Sequence, residues 1–127
     1  LSNRGRVNRS FVETKWFTER VRETLSDEVY AAFQRSLAEK PDLGRVIPGS
    51  GGLRKIRLAE LAKGMGKRGG IRVIYLDIPE AERVFLLDIY EKGQKEDLSP
   101  AEKKVLKEIA TGIKAETKLA FGKKNRI

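Results

Sequence analysis

Residues 49–75 read GSGGLRKIRLAELAKGMGKRGGIRVIY, and the way this stretch divides decides the fold. It reads as a strand, a basic glycine-rich loop and a second strand. Seven cations (Arg54, Lys55, Arg57, Lys63, Lys67, Arg68 and Arg72) stand against one anion, Glu60, within nineteen residues. In LRKIRL, two-residue alternation puts Leu53, Lys55 and Arg57 on one face and Arg54, Ile56 and Leu58 on the other. In IRVIY, Arg72 shares a face with Ile74, while Ile71, Val73 and Tyr75 take the opposite one. Two neighbouring strands can thus aim Lys55, Arg57 and Arg72 at one place. Such a cluster repels itself unless an anion, a phosphate above all, is meant to occupy it. A solvated basic edge that deters sheet-to-sheet aggregation explains the same pattern. This stretch alone leaves both readings open.

On its N-terminal side, residues 43–52 (LGRVIPGSGG) form a Gly/Pro-rich connection. GSGG lacks the Lys and Ser/Thr of a P-loop, and no helix follows it directly, which argues against a nucleotide-binding loop. The loop AKGMGKRGG suits a phosphate clamp or an ordinary long hairpin loop. Further back, Phe11, Val12 and Thr14 predict a short first strand ending near Trp16. Phe17, Val21 and Leu25, four residues apart, predict a short helix. Ser26 then caps a second helix with Asp27 and Glu28 in its first turn. That helix carries the stripe Val29, Phe33 and Leu37, and Pro41 stops it.

On the C-terminal side, residues 71–78 make a strand that ends at the turn Pro79-Glu80. Residues 83–90 (RVFLLDIY) are apolar enough for a strand buried on both faces, with Asp88 expected to pair with a cation of the basic cluster. A polar segment carrying Lys92 and Lys95 follows. Ser99, Pro100 and Glu102 then spell a capping box that opens a last helix striped by Leu106, Ile109 and Ile113. The order is β-α-α-β-β-β-α. It predicts an α+β fold with a curved, mainly antiparallel sheet packed against helices. Residues 1–10 are expected to be a basic flexible arm, 11–120 a single domain and 121–127 a basic tail.

A chain of 127 residues suits one domain with a modest core. Its net charge of +9, with a pI near 9.9, points to a polyanionic partner such as nucleic acid, or to an acidic protein. No apolar run approaches the roughly 20 residues of a membrane span. The start, LSNRGRVNRSF, lacks the apolar core of a signal peptide, so the cytoplasm is the expected compartment. Cysteine and histidine are both absent. This excludes a disulfide scaffold, a thiol nucleophile, Cys/His metal sites and a serine hydrolase with a histidine base. No carboxylate spacing suggests a metal cage, and no cofactor is expected.

The runs PDLGRVIPGSGGLRKIR, GMGKRGGIRVIY and FLLDIYEKGQKEDLSPAE, in this order, resemble the HigB-type toxins of the RelE/ParE superfamily, which belong to bacterial type II toxin–antitoxin systems. The resemblance covers roughly residues 11–115. It implies a RelE-like domain and a ribosome-dependent, metal-independent endoribonuclease, an mRNA interferase that inhibits translation. It also implies a cognate antitoxin with a helix-turn-helix DNA-binding domain. By position, Lys55 and Arg57 match the family's two basic residues on the first central strand, Arg72 the Arg opening the next strand, and Lys92 a basic residue after the last strand. Where some relatives carry a functional Tyr, this chain has Leu98, and Tyr90 lies close by in sequence.

Physical chemistry agrees with a site lacking histidine. If the RNA 2′-OH attacks the adjacent phosphate, the substrate supplies the nucleophile. The protein need only align the backbone, spread the phosphorane charge and move protons. A lysine crowded by other cations is pushed toward its neutral form, which suits proton transfer. We therefore expect Lys55 as proton acceptor or phosphate clamp, Arg57 and Arg72 as phosphate ligands, and Lys92 on the leaving-group side. Arg54, Lys63, Lys67, Arg68, Tyr90 and Lys95 are expected to bind RNA or the ribosome. A non-catalytic basic module that sits on RNA fits the composition equally. A DNA reader fits poorly, because the last helix lacks a recognition pattern.

Overall fold

Alternating and continuous apolar runs fold into a five-stranded sheet between two helical layers. The structure, a computed structural model, describes residues 9–61, 70–95 and 97–122. The elements are β1 (Ser10–Glu13), α1 (Lys15–Thr24), α2 (Asp27–Glu39), β2 (Arg45–Val46), β3 (Arg54–Arg57), β4 (Ile71–Ile78), β5 (Arg83–Glu91) and α3 (Pro100–Gly122). The sheet order is β1-β5-β4-β3-β2. β1 runs parallel to β5, and every other pair is antiparallel.

Two details depart from the sequence reading. The Gly/Pro-rich connection contains an extra strand, β2, whose two residues pair with Arg54 and Lys55. Two residues carry too little alternation to signal a strand. The first strand also stops before Trp16. The Thr14 hydroxyl accepts the Phe17 N–H at 3.1 Å and so caps α1, which makes Trp16 helical.

Each face of the sheet has its own core. α1 and α2 bring Phe17, Val21, Phe33 and Leu37 onto Ile56, Val73, Tyr75 and Leu86. α3 brings Leu106 and Ala110 onto Leu53, Ile74, Leu76 and Leu87 on the other side. Burial of each large side chain contributes about 1.5–3 kcal/mol. Because both faces are covered, β4 and β5 read as nearly unbroken apolar runs. Among the described residues no helix is long and apolar enough to cross a membrane.

A tyrosine fastens the loop after α2 to this core. Tyr75 donates its hydroxyl to the Pro41 carbonyl and accepts the Gly44 N–H, both at 2.8 Å. Burial pushes its phenol up to about 12. Gly44 has to be glycine, since a Cβ there would stand 2.7 Å from the Tyr75 hydroxyl.

Candidate active site

Strand register assembles the cations. Arg57 lies directly opposite Arg72, and Arg72 directly opposite Tyr90, so the three form one rung across β3, β4 and β5. Paired residues share a face, here the face that carries α3. Lys55 is on the same face, opposite Ile74 and two residues along from Arg57, a step of about 7 Å. Lys55, Arg57 and Arg72 therefore share one face of the sheet, as the alternation predicts. Two arginines directly opposite each other repel, and that repulsion is relieved when a phosphate bridges them.

The members of the rung differ in access. Arg57 is exposed, whereas Arg72 is only 9% exposed. The Arg57 N–H is held by the Glu60 carboxylate at 3.0 Å, which fixes the exit from β3. Tyr90 is buried against Leu98, and its hydroxyl has no hydrogen-bond partner among the described residues. An unsatisfied buried hydroxyl costs about 1–3 kcal/mol. Burial, with Asp97 adding to it, pushes the Tyr90 phenol up to about 12.

Asp97 is a neighbour the sequence reading missed. Its carboxylate lies 3.4 Å from the Lys55 ammonium and accepts the Leu98 N–H at 2.8 Å. The backbone N–H of Leu98 and the charge of Lys55 hold this carboxyl below its ordinary range. Asp97 and Lys55 are 42 residues apart in the chain, so no local pattern announced the contact.

The remaining candidates divide into groups. Lys92 sits just past β5, and its N–H donates to the Gly70 carbonyl at 2.8 Å, beside the entry to β4. Arg54 stands on the opposite face from the rung. Its guanidinium donates to the carbonyls of Asp42 and Gly44 at 2.9 and 2.6 Å and so braces the loop before β2. Lys95 turns inward, 3.4 Å from Asp88 and 2.5 Å from Glu102, with its ammonium 4.6 Å from the centre of the Tyr90 ring. Asp88 thus pairs with Lys95 rather than with a cation of the basic cluster, because β5 carries it beside the segment that leads into α3. Its shorter contact, 2.7 Å, is to Arg20 of α1, which the sequence reading did not single out. Lys63, Lys67 and Arg68 lie outside the described residues.

A sheet sandwiched by α1–α2 and α3, with a cationic rung where β3, β4 and β5 run side by side, is what the comparison with known families bears on. The family model described as the RelE toxin of the RelE/RelB toxin–antitoxin system matches residues 9–124. The chain belongs to the RelE toxin family. As a RelE-family protein it is the toxin of a toxin–antitoxin pair, and an antitoxin is its implied partner. The matched span takes in every strand and helix of the fold and both ends of the rung. It also includes Leu98, which this RelE-family chain buries in the α3 core with 5% exposure.

Proposed function

We propose that this toxin is a HigB-type mRNA interferase, a ribosome-dependent endoribonuclease acting in the cytoplasm. One observation carries the reading: Arg57 and Arg72 face each other across a rung, with Lys55 alongside. That geometry suits one phosphate of an RNA backbone. The 2′-oxygen attacks phosphorus, the new P–O bond forms, and the bond to the 5′-oxygen breaks, leaving a 2′,3′-cyclic phosphate and a 5′-hydroxyl. Arg57 and Arg72 spread the charge of the phosphorane, with Arg able to bond two oxygens at once. Once RNA displaces Asp97 and the Lys55 ammonium has released its proton to solvent, Lys55 takes the proton from the 2′-OH, and Lys92 delivers one to the departing 5′-oxygen. Asp97 keeps the Lys55 ammonium in place until RNA arrives.

Lys63, Lys67 and Arg68 contribute affinity for RNA and the ribosome through charge. The ribosome supplies the alignment that a site without histidine does not, which is worth several orders of magnitude in rate. The proposed antitoxin is a helix-turn-helix DNA-binding protein. A second reading, a non-catalytic RNA-binding module, draws support from the buried Leu98, whose side chain has no proton to give. The test is cleavage of one transcript, free and on programmed ribosomes. Cutting confined to the ribosome-bound transcript supports the proposal. Equal cutting of both points to an autonomous nuclease, and binding without cutting favours the module.

A further inference from the structure

β1 ends at Glu13, and its pairing with β5 ends at Leu86. Beyond that point side chains take the place of a strand. The Asp88 carboxylate accepts the Ile89 N–H at 2.9 Å, and the Gln94 amide oxygen accepts the Glu91 N–H at 3.3 Å. Between this edge, the end of α1 and the start of α3 lies a cavity of about 390 Å³. Its polar walls include Arg20, Glu23, Tyr90, Gln94, Lys95 and Glu102. The volume falls within the range of about 300–1,000 Å³ usual for small-molecule pockets.

The cavity and the rung share Tyr90, which is directly opposite Arg72 on the next strand, about 5 Å away. Their chemistry differs. The rung and Lys55 are cationic, whereas the cavity balances Arg20 and Lys95 against Glu23 and Glu102. Two carboxylates repel a phosphate. A flat, neutral ring with donors and acceptors on its edge suits such walls. Gln94 has committed its carbonyl to the backbone, so a ligand meets its NH2 group. The Glu23 carboxylate offers acceptors only, and the Arg20 guanidinium, 44% exposed, offers a plane on which a ring stacks. Tyr90 also lines the cavity, with its hydroxyl buried away from solvent.

We infer that this cavity receives the base of a nucleotide flanking the scissile phosphate and selects adenine and cytosine, whose exocyclic amines stand where uracil and guanine carry an oxygen. The inference rests on the nuclease reading for its RNA, and it adds a base-reading subsite to the phosphate site. Single-stranded RNA is recognised in this way, with bases splayed out, stacked and bonded along their edges. Glu23 accepts from the N6 amine of adenine or the N4 amine of cytosine and meets an oxygen at that position, O4 in uracil or O6 in guanine.

Two measurements test it. The first is single-turnover cleavage of ribosomes programmed with mRNAs that vary only at the bases flanking the cut. At one flanking position, the wild-type protein is expected to favour adenine or cytosine over uracil or guanine by about tenfold. Glu23→Gln adds a donor and should shrink that preference, while Glu108→Gln, an equal charge change on an exposed part of α3, should not. A preference unchanged by Glu23→Gln overturns the inference. The second measurement is independent of cutting: full-length protein titrated with millimolar adenosine or uridine 5′-monophosphate and followed by NMR. Adenosine monophosphate should shift the Gln94 side-chain amide and Tyr90 more than uridine monophosphate, and Glu23→Gln should remove the difference. If neither nucleotide moves these signals, the cavity is no base site, even in a protein that cuts. If the signals move but the wild type cuts nothing, the subsite stands and the nuclease reading falls.

Discussion

Arg57 and Arg72 owe their meeting to strand alternation, which is legible from residues 53–58 and 71–75 alone. What alternation does not show is depth: Arg57 is exposed and Arg72 nearly buried. Tyr75 shows how a single side chain secures the surroundings. Tyr75→Phe leaves the Gly44 N–H and the Pro41 carbonyl without their partner, so urea denaturation should show a loss of about 1–3 kcal/mol. Gly44→Ala should cost a similar amount, because the new Cβ meets a fully buried ring that has no room to retreat. Wild-type stability in either variant would mean that the loop after α2 does not depend on this contact. Asp97, and Arg20 as the partner of Asp88, were illegible for a plain reason. Arg20 and Asp88 are 68 residues apart, and only the packing of α1 beside β5 brings them together.

Among the elements, α3 was the most legible. Ser99 accepts the Glu102 N–H at 3.1 Å and Glu102 accepts the Ser99 N–H at 2.9 Å, the reciprocal bonds its sequence spells. Glu102 also holds Lys95, so the cap joins the helix to the cation over Tyr90. Ser99→Ala should lower stability by about 1 kcal/mol in thermal or urea unfolding; no change would show that α3 starts independently of its cap. Asp88→Ala should cost about 1–3 kcal/mol, because it leaves the buried Ile89 N–H without its acceptor and unlinks α1 from the segment before α3, while Arg20 is half-exposed and Lys95 keeps Glu102. β2 was not legible at all. It exists because Arg45 and Val46 find Lys55 and Arg54 beside them, a property of the neighbour rather than of its own pattern. The β5 register shift near Asp88, between Ile74 and Tyr75 in β4, is equally tertiary, and no residue type in RVFLLDIY marks it.

For the molecule as a whole, a net charge of +9 predicts ribosome affinity that falls steeply with salt. The tyrosines report on the intact core. All three, Tyr30, Tyr75 and Tyr90, have phenols raised above the ordinary value of about 10, with burial the largest cause in each. A raised phenol favours the folded state below the unfolded value. That contribution is lost as pH rises from about 10 through the folded values, about 12 for Tyr75 and Tyr90. Phenolate absorbance should therefore stay low near pH 10 in the folded protein and rise there once it is unfolded in denaturant. A tyrosine ionising near 10 in the folded state would contradict the packing described. The claim that the rung is catalytic meets its most direct test in Arg72→Lys, which keeps the charge and removes the two-pronged donor. The measurement is single-turnover cleavage of ribosome-bound mRNA, normalised to ribosome occupancy. The account predicts a fall of roughly 100- to 1,000-fold in the cleavage step with little loss of binding. Cleavage and binding lost in equal proportion would contradict it and leave the rung as an electrostatic patch.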